Sequence, residues 1–378
     1  MEIVKFEPIP DVQYAHDYIA MFEKIASGEL QEIPTLRYLI KNDLWFILHF
    51  VLKMPNVNHP FVIQNCWEVE TGPKDKTLDI WAREHIKSHT ITIAETIQCV
   101  LKYPERSNGI FCYVKGLAEK FLLSIKEVLT KNEILVTCFP DVLYKDPERD
   151  APLWSLEKGI IVKRKSNPPW PSVGAYGLIE GMPVGIHLER RVYDDIITQD
   201  ICENYDVMEK VKTKFDMSLS LGTDGGVHRV VGTYYNYDDP LVYIKNKTQI
   251  RDKNKPLYHF RFKPATEDGS PNGKSVFLSE EYLDDLKKSK TFNTQYLLNP
   301  SPTETKKLNK DCLVITKPED LPERLFIFLL VDPSGKKGTG DPVAILLIGV
   351  NPDKDDNGAS NIYILNAVIE KYPLPEFI

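Results

Sequence analysis

The sequence predicts an α/β protein built on a central, mainly parallel sheet, and three features carry that expectation. From about Phe61 to Ile244 short apolar runs alternate with helical segments, the pattern of βαβ units. Ahead of it, Thr35 to Lys53 carries apolar residues at Leu36, Leu39, Ile40, Leu44, Ile47, Leu48 and Val51, the spacing of a helix. Near the other end, the runs LFIFLLV, VAILLIGV and NIYILNAV are joined by polar loops and predict the opening strands of a second sheet. The expected organisation is a helical segment over 1–60, an α/β core over 61–244, a polar lid and linker over 245–322, and the second sheet over 323–378.

Within the core, Leu78–Trp81, Gly109–Val114, Ile134–Phe139 and Arg229–Thr233 predict strands, and Lys87–Tyr103 and Leu117–Thr130 predict helices between them. The polar stretch that follows retains two helical pieces, around Glu280–Lys288 and Thr291–Leu298. Hydrophobic and charged contents of 42% and 27% are those of a globular protein. The longest purely apolar run, Leu325–Val331, is far short of the roughly 20 residues of a membrane span, and the N-terminus has no secretory pattern. Cys66, Cys99, Cys112, Cys138, Cys202 and Cys312 include no C-x-x-C pair and read as reduced core thiols. A net charge of −7 weighs against tight autonomous binding to nucleic acid, without excluding a locally basic surface.

Two segments end in Lys-Ser. Gly269–Ser275, GSPNGKS, has three residues between its glycines where a phosphate loop has four, and neither a buried strand before it nor an immediate helix after it. It reads as a polar loop. Leu78–Trp81 is instead an apolar strand, Ala82-Arg83-Glu84-His85-Ile86-Lys87-Ser88 a tight connection, and Thr90–Tyr103 a helix. That order is what phosphate binding requires, because loop N–H groups and a helix N-terminus then converge on the anion. Lys87 would neutralise the β- and γ-phosphates of ATP, and the Ser88 hydroxyl would reach Mg²⁺. No glycine precedes Lys87, so an exposed helix start is the competing reading.

The segment LDIWAREHIKSHTITIAETIQ resembles the atypical Walker A of the large terminase subunits of tailed phages, in which Arg and His replace the first glycines. The resemblance continues in order. It runs through GIFCYVKGLAEKFLLSIKEVL, the stretch Trp154-Ser155 to Lys165 with Ala175–Gly181, and a Walker B at VYDDIIT. It then takes in a coupling motif at RVVGTYYNYDD, a pre-linker helix at FNTQYLLNP, and the first hairpin of an RNase H-like nuclease at FLLVDPSGKKGTGDPVAILLIGV.

This resemblance implies a P-loop ATPase that drives double-stranded DNA into a procapsid, followed by part of a metal-dependent nuclease. It implies Asp194 as the Mg²⁺-side carboxylate and Asp195 as the catalytic base; Arg83 is either a surface arginine or, within a phosphate loop, a residue that contacts the γ-phosphate or switches between states. Gly232 and Thr233 would sense that phosphate, and Asp332 would be the first nuclease ligand for Mn²⁺ or Mg²⁺. Asp341 matches a family position or is a loop acid. A neighbouring subunit's arginine should complete the site, with Arg149, Arg164, Arg190 and Arg191 all eligible. The implied partners are the DNA, a portal protein, a small terminase subunit and further copies in a ring, in the host cell cytoplasm. Two alternatives remain at this point: a helicase-like ATPase acting on single strands, and a weakly catalytic scaffold bridging recognition subunit and portal.

Overall fold

The computed structural model describes residues 14–300, 314–332, 343–354 and 360–370, apart from Glu203, Tyr237 and Arg251. The chain divides into two compact units, residues 1–305 and 306–378.

The first unit is built on an eight-stranded sheet. Its strands are β1 (Thr77–Trp81), β2 (Asn108–Val114), β3 (Trp154–Ser155), β4 (Gly159–Ile160), β5 (Val173–Glu180), β6 (Leu188–Asp194), β7 (Gly222–Gly232) and β8 (His259–Lys263). They lie in the order β3-β4-β5-β2-β6-β7-β1-β8. All pairings are parallel except those of the short β3 and β4 at one edge.

Residues on successive strand positions alternate between two cores, as the pleat requires. Trp81, Ile110, Cys112, Val192 and Val231 face the larger one. There they meet the helices Glu32–Asn42, Pro60–Thr71, Glu95–Lys102 and Lys115–Lys131. Leu78, Ile80, Phe111, Tyr193 and Val230 face the other, against the helices Tyr205–Ser218 and Pro240–Lys245. A small third cluster, including Ala82, Ala265, Leu283, Phe292 and Tyr296, packs residues 280–297 beside the end of β1.

Two expectations are corrected. Ile134–Phe139 is not a strand: Asn132 accepts a hydrogen bond from Leu135 N–H and caps a helix, Glu133–Cys138. The helix forms despite its three β-branched residues because the cap satisfies its first turn and Leu135 and Cys138 bury against the larger core. Thr35–Lys53 is not one helix either. Asp43, extended and buried, ends Glu32–Asn42 and starts the next helix by accepting from Phe46 N–H at 3.1 Å. The apolar period continues across the break because both helices face the same core.

The thiols of Cys66, Cys99, Cys112, Cys138 and Cys202 are buried, and Cys312 lies outside the described residues. Among the described residues no helix is long and apolar enough to cross a membrane.

The second unit contains an antiparallel sheet of β9 (Phe326–Asp332), β10 (Val343–Lys354) and β11 (Ser360–Glu370), with β10 in the middle.

Candidate active site

Strand β1 delivers the loop 82–88 to the carboxyl edge of the sheet, where β6 and β7 also end. The loop is not glycine-rich, yet it takes the backbone turns that glycine usually supplies. Glu84 and Ile86 adopt φ of 64° and 52°, and Asp195, just past β6, adopts 50°. Left-handed backbone at non-glycine residues is costly, and here all three cluster at one site. The alternation of Ile86 (left-handed) and Lys87 (right-handed) points successive N–H groups to one side, the geometry of an anion nest.

The N–H groups of Glu84, Ile86, Lys87, Ser88 and His89 donate to no described residue. The other three of the loop are engaged within the protein. Ala82 donates to Lys263 O at 2.9 Å, Arg83 to Gln295 O at 2.9 Å, and His85 to Ala82 O at 3.4 Å.

The side chains divide the same way. His85 is fully buried, packed between the rings of Phe61 and Phe277, with Nδ1 2.7 Å from Arg83 O. Burial lowers its pKa to about 4, so the ring is neutral and structural. Glu84 turns away from the sheet and accepts from Tyr296 (2.7 Å) and Tyr282 (2.9 Å). Arg83 is exposed and donates to Gln295 Oε1 at 3.2 Å.

Lys87 is the side chain that faces the acidic pair. Burial lowers its pKa while Asp194 and Asp195 oppose that shift. Asp194 is fully buried on the side of the sheet covered by the helix after the 82–88 loop, where Thr92 donates to its Oδ2 at 2.5 Å and the Ser88 hydroxyl lies nearby. Burial and the neighbouring Asp195 push its pKa up to about 7, against the Thr92 and Ser88 hydroxyls and Lys87. Asp194 Oδ1 is buried without a hydrogen-bond partner. A carboxylate with an unfilled lone pair beside a serine hydroxyl fits a hard divalent cation. Among the described residues no three His, Cys, Asp or Glu side chains converge into an all-protein cage. Magnesium does not need one, because it takes one or two carboxylates with water and substrate oxygens.

Strand β7 closes the other side. Thr233 Oγ1 donates to Trp81 O at 2.8 Å, tying the end of β7 to the end of β1. A Cβ at Gly232 would lie 2.5 Å from Leu241 Cδ1, so this glycine permits the close approach of Pro240–Lys245. Asp239 caps that helix through Leu241 N–H at 2.8 Å.

The arginine candidates are narrowed. Arg190 and Arg191, each 4% exposed, are internal and cannot reach a neighbour. Arg190 binds Glu95, Thr96 and Ile91 O, and Arg191 binds Ser218 O and Leu219 O. The charge of Arg190, unexpected on a buried strand, is compensated by Glu95 on the helix Glu95–Lys102, which also pairs with Arg229 at 2.9 Å. Arg164 is partly buried and donates to Trp170 O and Pro168 O. Arg149 is exposed, held only by Asp150 and Asp146.

The GSPNGKS segment is a surface turn. Asp268 accepts from Ser270, and an isolated bridge joins Thr266 and Ser275. Asp332 ends β9 opposite Ala344, exposed, in the second unit; Asp341 lies outside the described residues.

The sequence missed Thr92, Gln295, Tyr282 and Tyr296. The last three lie roughly 200 residues from the loop they hold, and no local pattern announces such a contact. Thr92 lay in plain view, four residues past Ser88, where a helix turn brings a hydroxyl to the same strand end.

The strand carrying the loop and the strand carrying the acidic pair are separated by one strand, β7, with all three ends at the site. This defines a mixed α/β protein with an eight-stranded, mostly parallel central sheet. No family model matches the chain, and no curated protein matches it. Among solved structures it is similar to the large terminase of a thermophilic bacteriophage in complex with ADP. That match has 15% identity and a TM-score of 0.36, and covers 79% of this chain and 66% of that one. The same terminase with ATP-gamma-S matches at 14% identity and a TM-score of 0.34, over the same shares. A large terminase ATPase-domain variant from Thermus phage P74-26 matches at 14% identity and a TM-score of 0.29, over 52% of this chain and 78% of that one.

Proposed function

We propose that this chain binds ATP at residues 84–89 and hydrolyses it, as the motor of a terminase-like DNA translocase. The observation that carries the reading is the row of N–H groups with no partner among the described residues, in the same loop as Lys87, whose side chain feels the charges of Asp194 and Asp195. Five unsatisfied donors at a helix start are costly unless an anion or water takes them. Lys87 adds a cation for the β- and γ-phosphates. Ser88 and Asp194 would hold Mg²⁺, which supplies charge neutralisation of the phosphates.

Asp195 is the remaining carboxylate of the pair and orients the attacking water, accepting its proton. Its left-handed backbone turns it off the strand axis, while Tyr113 N–H holds its carbonyl at 3.0 Å. Thr233, hydrogen-bonded to Trp81 O, is placed to register the loss of the γ-phosphate and pass it along β7. Glu84 and Gln295 connect the same loop to residues 280–297, so that a change at the phosphates moves the lid.

Translocation of double-stranded DNA, assembly on a portal, service by a small subunit and a nuclease begun at Asp332 follow from the resemblance of the motifs in their order. The test is Lys87→Ala, which should abolish magnesium-dependent ATP turnover while the far-ultraviolet spectrum is retained. Lys274→Ala, in the surface turn, should leave turnover within about twofold, as expected of a surface change away from any site. The opposite ranking would overturn the assignment. Stimulation by single-stranded but not double-stranded DNA would favour the helicase-like reading.

A further inference from the structure

At the opposite edge of the same sheet lies a recess of about 300 Å³ that the nucleotide site does not use. Its walls are the ends of three helices, Glu32–Asn42, Pro60–Thr71 and Glu95–Lys102, and its floor is the beginning of β6 and the middle of β7. Lys41, Lys74, Lys102 and Arg106 surround the mouth, with Arg190 and Arg229 in the floor. Six cationic side chains thus face two acidic ones, Glu70 and Glu95, in a chain whose overall charge is −7.

Helix C-termini favour cations, which accounts for part of this accumulation. It does not account for the floor. Glu95 is consumed by Arg190 and Arg229 at 2.9 Å each. Arg229, 1% exposed, keeps Nη1 without any hydrogen-bond partner. A buried guanidinium N–H left unpaired is expensive, and an incoming anion would satisfy it. Nor does Glu70 cancel the charge. Gln98 donates to its Oε1 at 2.8 Å, its Oε2 has no partner, and burial with Asp43 nearby raises its pKa to about 8. A carboxyl group that keeps its proton near neutrality is a donor. At the mouth, Lys102 is held by Asn42 Oδ1 at 3.0 Å and Arg106 lies over the Tyr103 ring at 4.0 Å. Both are exposed.

We infer that this recess binds a terminal phosphate group, either the phosphates of a small molecule or the 5′-phosphate ending a DNA strand. A terminal phosphate is dianionic and can enter a closed recess with three oxygens forward. An internal phosphodiester carries one charge and is flanked by two sugars, a poorer match to floor arginines that are only 4% and 1% exposed.

The experiment uses the full chain with Lys87→Ala, so that the loop's lysine is absent, and EDTA, so that no metal-dependent binding contributes. Pyrophosphate titrated by calorimetry should bind at one site per chain. Adding Lys102→Glu with Arg106→Glu, both at exposed positions, should weaken binding by about tenfold or more for each reversed charge, the size of a charge-assisted contact. Lys245→Glu with Lys255→Glu changes the net charge equally on another surface, and at about 0.15 M salt should change binding by no more than about threefold. Absence of pyrophosphate binding, or equal weakening by both pairs, overturns the inference. Oligonucleotides with 5′-phosphate and 5′-hydroxyl ends identify the source. A preference for the phosphorylated end that Lys102→Glu with Arg106→Glu removes assigns the recess to DNA ends. Pyrophosphate binding with neither oligonucleotide bound assigns it to a small molecule. Equal binding of both oligonucleotides through Lys102 and Arg106 would refute recognition of a terminal phosphate.

Discussion

Glu95 is the residue whose loss should be felt most widely. It lies on the helix Glu95–Lys102, seven residues past Ser88, and its two carboxylate oxygens bind separate buried guanidiniums, Arg190 on β6 and Arg229 on β7. Burial alone would raise its pKa, but Arg229 and Arg190 outweigh that and hold it below the ordinary carboxylate range. Glu95→Gln keeps the shape and one acceptor while removing the charge. Arg190 and Arg229, 4% and 1% exposed, then face each other without compensation. Breaking a buried ion pair by removing one partner costs about 3–5 kcal/mol. With two cations left behind, the upper part of that range is expected. Set against a total stability of about 5–15 kcal/mol, this is a large fraction. The assay is equilibrium urea unfolding at pH 7, followed by tryptophan fluorescence through the buried Trp45 and Trp81. The double variant Glu95→Gln with Arg229→Met should recover part of the loss, because one orphaned charge is gone. A loss below about 1 kcal/mol for Glu95→Gln, or a double variant less stable than the single one, would refute the idea that this carboxylate compensates the two arginines.

Three further outcomes are expected. His85, with its pKa lowered to about 4, binds fewer protons folded than unfolded, so stability rises with pH through the window from about 4 to 6.5. The contribution lost on acidification reaches about 3 kcal/mol, and a pH series of urea midpoints that runs parallel for wild type and His85→Gln would sink this. Asp195→Asn should retain ATP without turning it over, whereas Asp194→Asn should also weaken magnesium-dependent nucleotide binding; equal binding losses in equilibrium titrations would show the roles are wrongly divided. Arg149, the most exposed of the four arginine candidates, is expected to act on a neighbouring subunit. Arg149→Ala should then abolish any rise of turnover per chain with protein concentration, a rise that a trans arginine can make as large as about 10³–10⁵-fold. Unchanged concentration dependence would remove Arg149 from consideration.

Local physical chemistry made much of this molecule legible in advance. The short, largely apolar run ahead of Ala82, the Lys-Ser pair and the amphipathic stretch after it read as strand, loop and helix in that order. The alternation of short apolar runs and helices required a parallel sheet, since parallel neighbours need long crossovers. The spacing of GSPNGKS, with three residues between its glycines and no strand before it, already read as a polar loop. Three things were decided only when the chain closed on itself. Ile134–Phe139 has the β-branched composition of a strand but is a helix, because Asn132 supplies a cap and the core accepts one face of it. Arg190 and Arg191 look misplaced on a buried strand because their compensation comes from elsewhere: Glu95, far away in sequence, and the carbonyls of Ser218 and Leu219. The 82–88 loop does without glycine because Gln295, Tyr282 and Tyr296 fix Arg83 and Glu84 from roughly 200 residues away, so that tertiary contacts stabilise left-handed turns that local preference disfavours. Sequence determines what each segment can become. Which buried charge finds its partner, and which strained turn is held, depends on contacts between segments that only the folded chain brings together.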